Sequence, residues 1–132
     1  MRHFWVDCIF VVFVLTSGCS DGGIDRHDLH GNVTFKGQPV PYGMISFRPD
    51  RKKGGSGPSG FAIIDSGAYD TSGTGKGAVS GPVEVMIEGA VSKQPMAEEL
   101  FPIYRTTIEV DEGSAEFDFE VPESTTQNKR RR

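Results

Sequence analysis

Apolar and polar residues alternate with a period of two over much of the chain after residue 30. This period is typical of a β-strand that buries one face. Such stretches lie at residues 31–36, 44–47, 61–64, 68–71, 83–88, 106–110 and 115–121. Glycine and proline are frequent between them, and residues 51–60 and 72–82 are expected to be loops. Because the strands are short and no long helix is predicted, the pattern indicates an all-β fold, a single antiparallel β-sandwich of about seven strands.

Two pairs of these strands are predicted to form hairpins. The polar turn at residues 65–67 joins the third and fourth strands, and contains a glycine as short hairpin turns often do. A similar turn at residues 112–114 is expected to pair the last two strands with each other. Residues 90–102 do not alternate and are expected to be irregular, with at most one helical turn at residues 97–101.

The first 18 residues differ in composition from the rest of the chain. Arg2 precedes an apolar run at residues 8–15, which small residues follow, as in a signal peptide. The run is shorter than the roughly 20 residues that a transmembrane helix needs. Residues 15–19, Leu-Thr-Ser-Gly-Cys, resemble the bacterial lipobox. This resemblance implies a cut before Cys19 and lipid on that cysteine; a plain secretory signal and an uncleaved anchor are the alternatives.

The remaining chain divides into three expected segments. Residues 19–28 are mostly polar or glycine and are expected to form a lipidated tether. Residues 29–122 would be the β-sandwich domain. Residues 123–132 contain no apolar residue and end in four cations, which predicts a disordered basic tail. The net charge of the chain is −4, and the acidic body argues against binding to nucleic acid.

The turn and core positions of the expected domain resemble those of carboxypeptidase regulatory-like, or transthyretin-like, domains of small bacterial lipoproteins. The matching residues are Gly31, Val33, Gly37, Pro39, Val40, Pro41, Ile45, Phe47, Gly67, Tyr69, Gly75, Lys76, Gly77, Gly81, Pro82, Val83, Val85, Pro102, Tyr104, Ile108 and Val110. The resemblance implies a transthyretin-like (prealbumin-like) sandwich that serves as an accessory or binding module. It does not imply the hormone site of transthyretin, which lies at a tetramer interface.

A first candidate site lies where the tether meets the domain. Asp25, His27, Asp28 and His30 combine two imidazoles with two carboxylates, a set that would suit zinc or copper if the segment were helical. The alternative is a mobile tether, which would not hold metal ligands in place. No metal or other cofactor is therefore predicted.

A second candidate is an acidic face on the expected C-terminal hairpin. Its members are Glu109, Asp111, Glu116, Asp118 and Glu120, which would all point away from the core. Because like charges that face each other are destabilising, a calcium ion or a basic partner would suit this face. The alternative is a solvated face that protects a sheet edge from aggregation.

The sequence offers no credible enzyme site. Ser56 and Ser59 lack a motif that would supply a base, and the glycine-rich residues 73–77 lack the Ser or Thr and the helix of a phosphate-binding loop. We therefore expect a non-catalytic binding or structural module of the cell envelope, lipid-anchored on the periplasmic or outer side of a bacterial membrane. The alternatives are a carbohydrate-binding domain that stacks sugars on Tyr42, Tyr69 or Tyr104, and a secreted sandwich without lipid.

Overall fold

The structure is a computed structural model that describes residues 23–113 and 115–127. Its strands are β1 (Arg26–His27), β2 (His30–Phe35), β3 (Gln38–Pro39), β4 (Tyr42–Pro49), β5 (Gly60–Asp65), β6 (Ala68–Asp70), β7 (Ala78–Val79), β8 (Gly81–Ala90), β9 (Glu99–Val110) and β10 (Phe119–Val121). A 3-10 helix (Arg51–Lys53) and two single-turn helices, α1 (Thr71–Thr74) and α2 (Ser124–Gln127), interrupt them. The described chain is mostly β, which confirms the predicted all-β class.

One curled sheet, shaped like half a barrel, makes up most of the molecule. Its strand order is β10-β2-β6-β5-β4-β8-β9, and β3 pairs with β2 beside this path. All neighbours in the sheet are antiparallel except β10 and β2, which run parallel. β1 and β7 form a separate two-stranded ribbon. Because the sheet curls, the inward residues of all its strands share one core.

The core sits on the inner side of the long central strands β4 and β8. These strands pair from Tyr42↔Ala90 to Pro49↔Val83. Their alternation places Ile45, Phe47 and Val85 on the inner face, where each is at most 1% exposed. β-Branched and aromatic residues favour such a pleated, half-buried surface, so local preference and burial agree here.

The hairpin predicted at residues 65–67 is confirmed. Ser66 and Gly67 both have positive φ angles, 52° and 82°, as the central residues of a type I′ turn require. Glycine is needed at the second position for another reason as well, because a Cβ there would lie 2.6 Å from Cβ of Pro39. β6 then leaves β5 after one paired position, Asp65↔Ala68, and continues along β2.

The predicted C-terminal hairpin is wrong. β9 pairs with β8, whereas β10 runs parallel to β2 at the far end of the sheet. The segment between them crosses to β2: the backbone N–H of His30 donates to the carbonyl of Ala115, and that of Phe117 donates to the carbonyl of His30. The turn pattern alone cannot distinguish these arrangements, because it does not report which distant strand offers a free edge.

Several expected segment boundaries also change. β9 begins at Glu99, so residues 99–102 are strand and the expected helical turn at 97–101 is absent; residues 91–98 are irregular, as predicted. Residues 72–82, expected to be a loop, contain most of α1, β7 and the start of β8.

Two segments near the limits of the described residues contain elements that were not expected. Within the expected tether, Arg26–His27 forms β1 by pairing with β7, and Arg26 Nη1 donates to the carbonyl oxygens of Ser59 and Gly77 at 3.1 and 2.8 Å. Within the expected basic tail, Ser124–Gln127 forms α2. The predicted signal peptide, Cys19 and residues 128–132 lie outside the described residues.

Candidate functional site

The sheet carries apolar side chains on its outer face as well as on its inner face. Five of these outer residues lie across strands β5, β4, β8 and β9, and we call them the outer strip: Met44, Phe61, Ile63, Met86 and Ile103. Met44 is the cross-strand neighbour of Ile63, and Ser46 lies between Phe61 and Met86. Met44, Phe61 and Ile103 are 37%, 38% and 45% exposed. An antiparallel sheet with one solvated face usually places polar residues on that face, so the outer strip calls for a physical account.

An open groove of about 330 Å³ lies at one end of the outer strip. Its walls include Tyr42, Met44, Ile63, Glu88, Phe101 and Ile103. The pairing of β8 with β9 is irregular here, with register shifts between Ile87, Gly89 and Ala90. Pro102, which has no backbone N–H to donate, lies in the part of β9 that these bulges displace. The groove is therefore built from β-bulges of a sheet and does not depend on a long loop.

Charged residues surround the outer strip. Glu88 is exposed beside Met44 in the pairing of β4 with β8, and Glu99 lies at the groove. Lys93 donates to Asp65 at 2.5 Å and so lowers the pKa of that carboxyl below its ordinary value. On the other side, Arg105 Nη1 lies 3.2 Å from both Glu84 Oε1 and Met86 Sδ. The groove end of the outer strip thus has carboxylates on its rim.

A second depression, of about 320 Å³, lies at the other end of the same outer face. Arg48, Arg51 and Lys52 line it together with Asp50, Glu84 and Thr107. The carboxylate of Asp50 accepts the backbone N–H of Lys52 at 3.1 Å and caps the 3-10 helix, while Glu84 pairs with Arg105. We call this site the basic depression. The sequence shows it only as a loop that is basic at its start.

The three tyrosines considered for sugar stacking occupy different environments. Tyr69 is 2% exposed, and its hydroxyl donates to the carbonyl of Phe117 at 2.7 Å. Burial raises the pKa of Tyr69 well above its ordinary value, and the carboxylates of Asp118 and Glu116 add to this effect. Tyr104 is half-buried against the core, and Tyr42 is half-buried at the groove. Tyr69 is therefore a core residue and not a surface for stacking.

The four candidate metal ligands near the N-terminal strand do not converge. The segment is not helical: His27 lies on β1 and His30 on β2, and Asp25 precedes both. His27 Nε2 shares a hydrogen bond of 2.7 Å with Ser80 Oγ, and Asp28 accepts from Thr71 Oγ1 at 3.5 Å. No group of three or more His, Cys, Asp or Glu side chains suited to a metal occurs within residues 23–113 and 115–127.

The five acidic residues assigned to one hairpin face are all exposed, but they lie on two different parts of the sheet. Glu109 and Asp111 are at the end of β9, whereas Glu116, Asp118 and Glu120 lie on the segment that runs along β2. Asp118 Oδ1 accepts the backbone N–H of Asn32 at 2.8 Å, so its carboxylate helps to fix that crossing segment. The single acidic face expected from the hairpin is not formed.

Comparisons with known proteins leave the site to be interpreted from its own chemistry. No family model, no curated protein and no solved structure matches this chain. In the part of the chain that the structure describes, no helix is both long and apolar enough to cross a membrane.

Proposed function

We propose that this chain is a non-catalytic module of a bacterial cell envelope, anchored through lipid on Cys19, that binds a protein partner through the outer strip. The lipobox-like segment before Cys19 supports the anchor. The partly exposed apolar residues of the outer strip support the proposed binding of a partner. We take the curled sheet as a variant of the transthyretin-like β-sandwich, because residues of its two ends, such as Val110 and Val121, belong to one core cluster.

The partner that fits the outer strip is a polypeptide segment with apolar side chains flanked by lysine or arginine. The strip supplies apolar contacts at Met44, Phe61 and Ile103, and methionine adapts readily to different apolar surfaces. Glu88, which is exposed at the groove, would favour a cation at the edge of the contact. Apolar contacts of this kind are strongest at the centre of a patch from which water is excluded.

The polar side chains of the described residues do not form an arrangement suited to catalysis, which favours a binding role. The pair of His27 and Ser80 is the arrangement nearest to a base and a nucleophile. Among the described residues, no acidic group is hydrogen-bonded to this histidine to orient its ring, as a catalytic triad would require. The pair instead connects β1 to the residue that follows β7.

The anchor is tested by the intact mass of the chain extracted from membranes. We expect the mass of residues 19–132 plus acyl groups, and a Cys19→Ala variant that lacks those groups. An unmodified chain in the soluble fraction would contradict the lipid anchor and would leave a secreted domain.

The binding surface is tested by a photoreactive amino acid placed at position 44 in living cells. We expect one protein to be captured there, through a peptide with apolar residues beside lysine or arginine, and Ile103→Ser to abolish the capture. Position 96 is the matched control, because Met96 is fully exposed but lies outside the outer strip. Equal capture from both positions, or capture that survives Ile103→Ser, would contradict the proposal.

A second candidate function is carbohydrate binding at the groove, which Tyr42 favours because its half-buried ring lies in the wall. Aromatic rings of this kind combine an apolar face with a polar hydroxyl. Binding to an array of envelope glycans that Tyr42→Ala abolishes would support this function. Uniformly weak binding that Tyr42→Ala leaves unchanged would remove it.

A further inference from the structure

The basic depression lies at the end of the molecule where the described chain begins. Arg26 donates to the carbonyl of Ser59, which belongs to the same β4–β5 connection as the 3-10 helix Arg51–Lys53. The connection also packs on β7, since a Cβ at Gly57 would lie 3.2 Å from Cγ1 of Val79. β1, β7 and the basic connection therefore form one end of the molecule.

The distance from the anchor to this end is short. The eight residues from Cys19 to Arg26, the residue that contacts this end, span at most about 28 Å when fully extended. A lipid on Cys19 would consequently keep the 3-10 helix close to the membrane surface. The turn of Lys36 and Gly37 is at the opposite end. β5 runs from the basic connection to the turn of Ser66 and Gly67, and Gly67 accepts the backbone N–H of Val33 near the end of β2.

Four cations at this end form no ion pair within the described part of the chain. Arg48, Arg51, Lys52 and Lys53 form no ion pair with any described carboxylate. Both carboxylates of the depression are already engaged, since Asp50 caps the 3-10 helix and Glu84 lies beside Arg105. Three cationic side chains thus border a cavity whose acidic groups already have partners.

We propose that the basic depression binds the phosphate of an anionic phospholipid headgroup and so fixes the orientation of the module on its membrane. Arginine forms paired hydrogen bonds to phosphate oxygens, and lysine adds a compact positive charge. The outer strip starts from this depression and ends at the groove, so headgroup binding would hold the groove away from the membrane. This inference rests on the proposed lipid anchor, which places the depression at the surface.

The test uses the chain extracted with its acyl groups and reconstituted in two kinds of vesicle, pure phosphatidylcholine and phosphatidylcholine mixed with phosphatidylglycerol. A brief pulse of an amine-acetylating reagent, followed by mass spectrometry, measures the exposure of individual lysines. We expect Lys52 and Lys53 to be protected only in the anionic vesicles, and Lys36 and Lys93 to react equally in both.

A charge variant separates a specific site from adhesion by net charge. Arg48→Gln with Arg51→Gln keeps both reporter lysines, and each lost cation should weaken binding about fivefold near an anionic surface. The matched control is Lys36→Gln with Lys93→Gln, which removes two cations at the other end and should leave the protection unchanged. Equal loss of lysine protection in both variants would contradict the proposed headgroup site.

Three further outcomes are decisive. Equal labelling of Lys52 in both vesicles would overturn the inference. Protection by inorganic phosphate alone, with no difference between the vesicles, would assign the depression to free phosphate and would also overturn it. A chain recovered without acyl groups would by itself contradict only the anchor. Sedimentation of that chain with the anionic vesicles, and not with the neutral ones, would still support the headgroup site. Failure to sediment with the anionic vesicles would overturn the headgroup site.

Discussion

The two faces of the central strands β4 and β8 both carry apolar side chains but differ in their chemistry. The inner face is built from Ile45, Phe47, Val85 and their neighbours, which are almost completely buried. On the outer face, Met44 and Met86 remain partly exposed, and Ile63 and Ile103 lie on the neighbouring strands β5 and β9. Branched and aromatic side chains lose little freedom when they pack rigidly, whereas methionine fills irregular surfaces. One face therefore stabilises the fold, and the other remains available for contact.

The largest expected effect of a substitution is on the inner face. Phe47 is 1% exposed, and its ring lies 5.9 Å from that of Tyr69. Phe47→Ala should lower the free energy of unfolding by about 3–5 kcal/mol, because it removes buried apolar surface and leaves a cavity. Urea denaturation followed by circular dichroism measures this change. A loss below about 1 kcal/mol would mean that the inner face is not the core, since deletions in a packed core cost more than that.

A smaller effect is expected where the N-terminal segment docks on the core. Thr71 is 1% exposed, and its Oγ1 accepts the backbone N–H of Leu29 at 2.9 Å. Thr71→Val should cost about 1–3 kcal/mol, because this buried N–H would lose its partner. Faster hydrogen exchange at Leu29 would locate the defect. Thr107→Val on the exposed outer face is the control, and an equal cost there would contradict the assignment.

The central strands were predictable because their information is local. At Ile45, Phe47, Val83 and Val85 the period of two is enough to assign both the strand and its buried face. The turn of Ser66 and Gly67 was predictable for a related reason, since few residues tolerate its backbone angles. In both places the residues themselves define the conformation.

The remaining features depend on which strands meet. Phe119 and Val121 alternate correctly, yet nothing local shows that they pair with Val33 and Phe35. The outer strip was missed for a different reason: Met44 and Met86 occupy the positions that alternation assigns to solvent. Their placement on diagonal positions of neighbouring strands follows only from the register of β4 with β8. The basic depression likewise appears only when Arg48 and Arg51 are brought together across the end of β4.

An intermediate effect that depends on pH is expected from Tyr69 on the inner side. Its hydroxyl donates to the carbonyl of Phe117, so Tyr69→Phe should cost about 1 kcal/mol at neutral pH. The pKa of Tyr69 is raised above its ordinary value of 10.0 by burial. The unfolded chain therefore loses this proton first, and the stability of the folded state should fall as pH rises above about 10.

The pH dependence is measured by urea denaturation between neutral and strongly alkaline pH. The Tyr69→Phe variant lacks the ionisable hydroxyl, so its stability should fall less steeply in the alkaline range than that of the wild type. Tyr42→Phe is the control, because Tyr42 lies at the groove and outside the core cluster. Parallel alkaline profiles of the wild type and Tyr69→Phe would show that this hydroxyl does not ionise differently in the folded chain.

The smallest effect on stability is expected on the outer strip. Met44 and Ile103 are 37% and 45% exposed, and their surroundings on the outer face are open to solvent. Met44→Ser and Ile103→Ser should each change the free energy of unfolding by no more than about 0.5 kcal/mol, as exposed substitutions usually do. Ile103→Ser should in addition abolish capture of the partner by a photoreactive amino acid at position 44. Denaturation curves measure the effect on stability, and photo-crosslinking measures the effect on capture. A large loss of stability would make the outer strip part of the structural core. Unchanged stability with lost capture would show that its apolar residues serve contact and not folding.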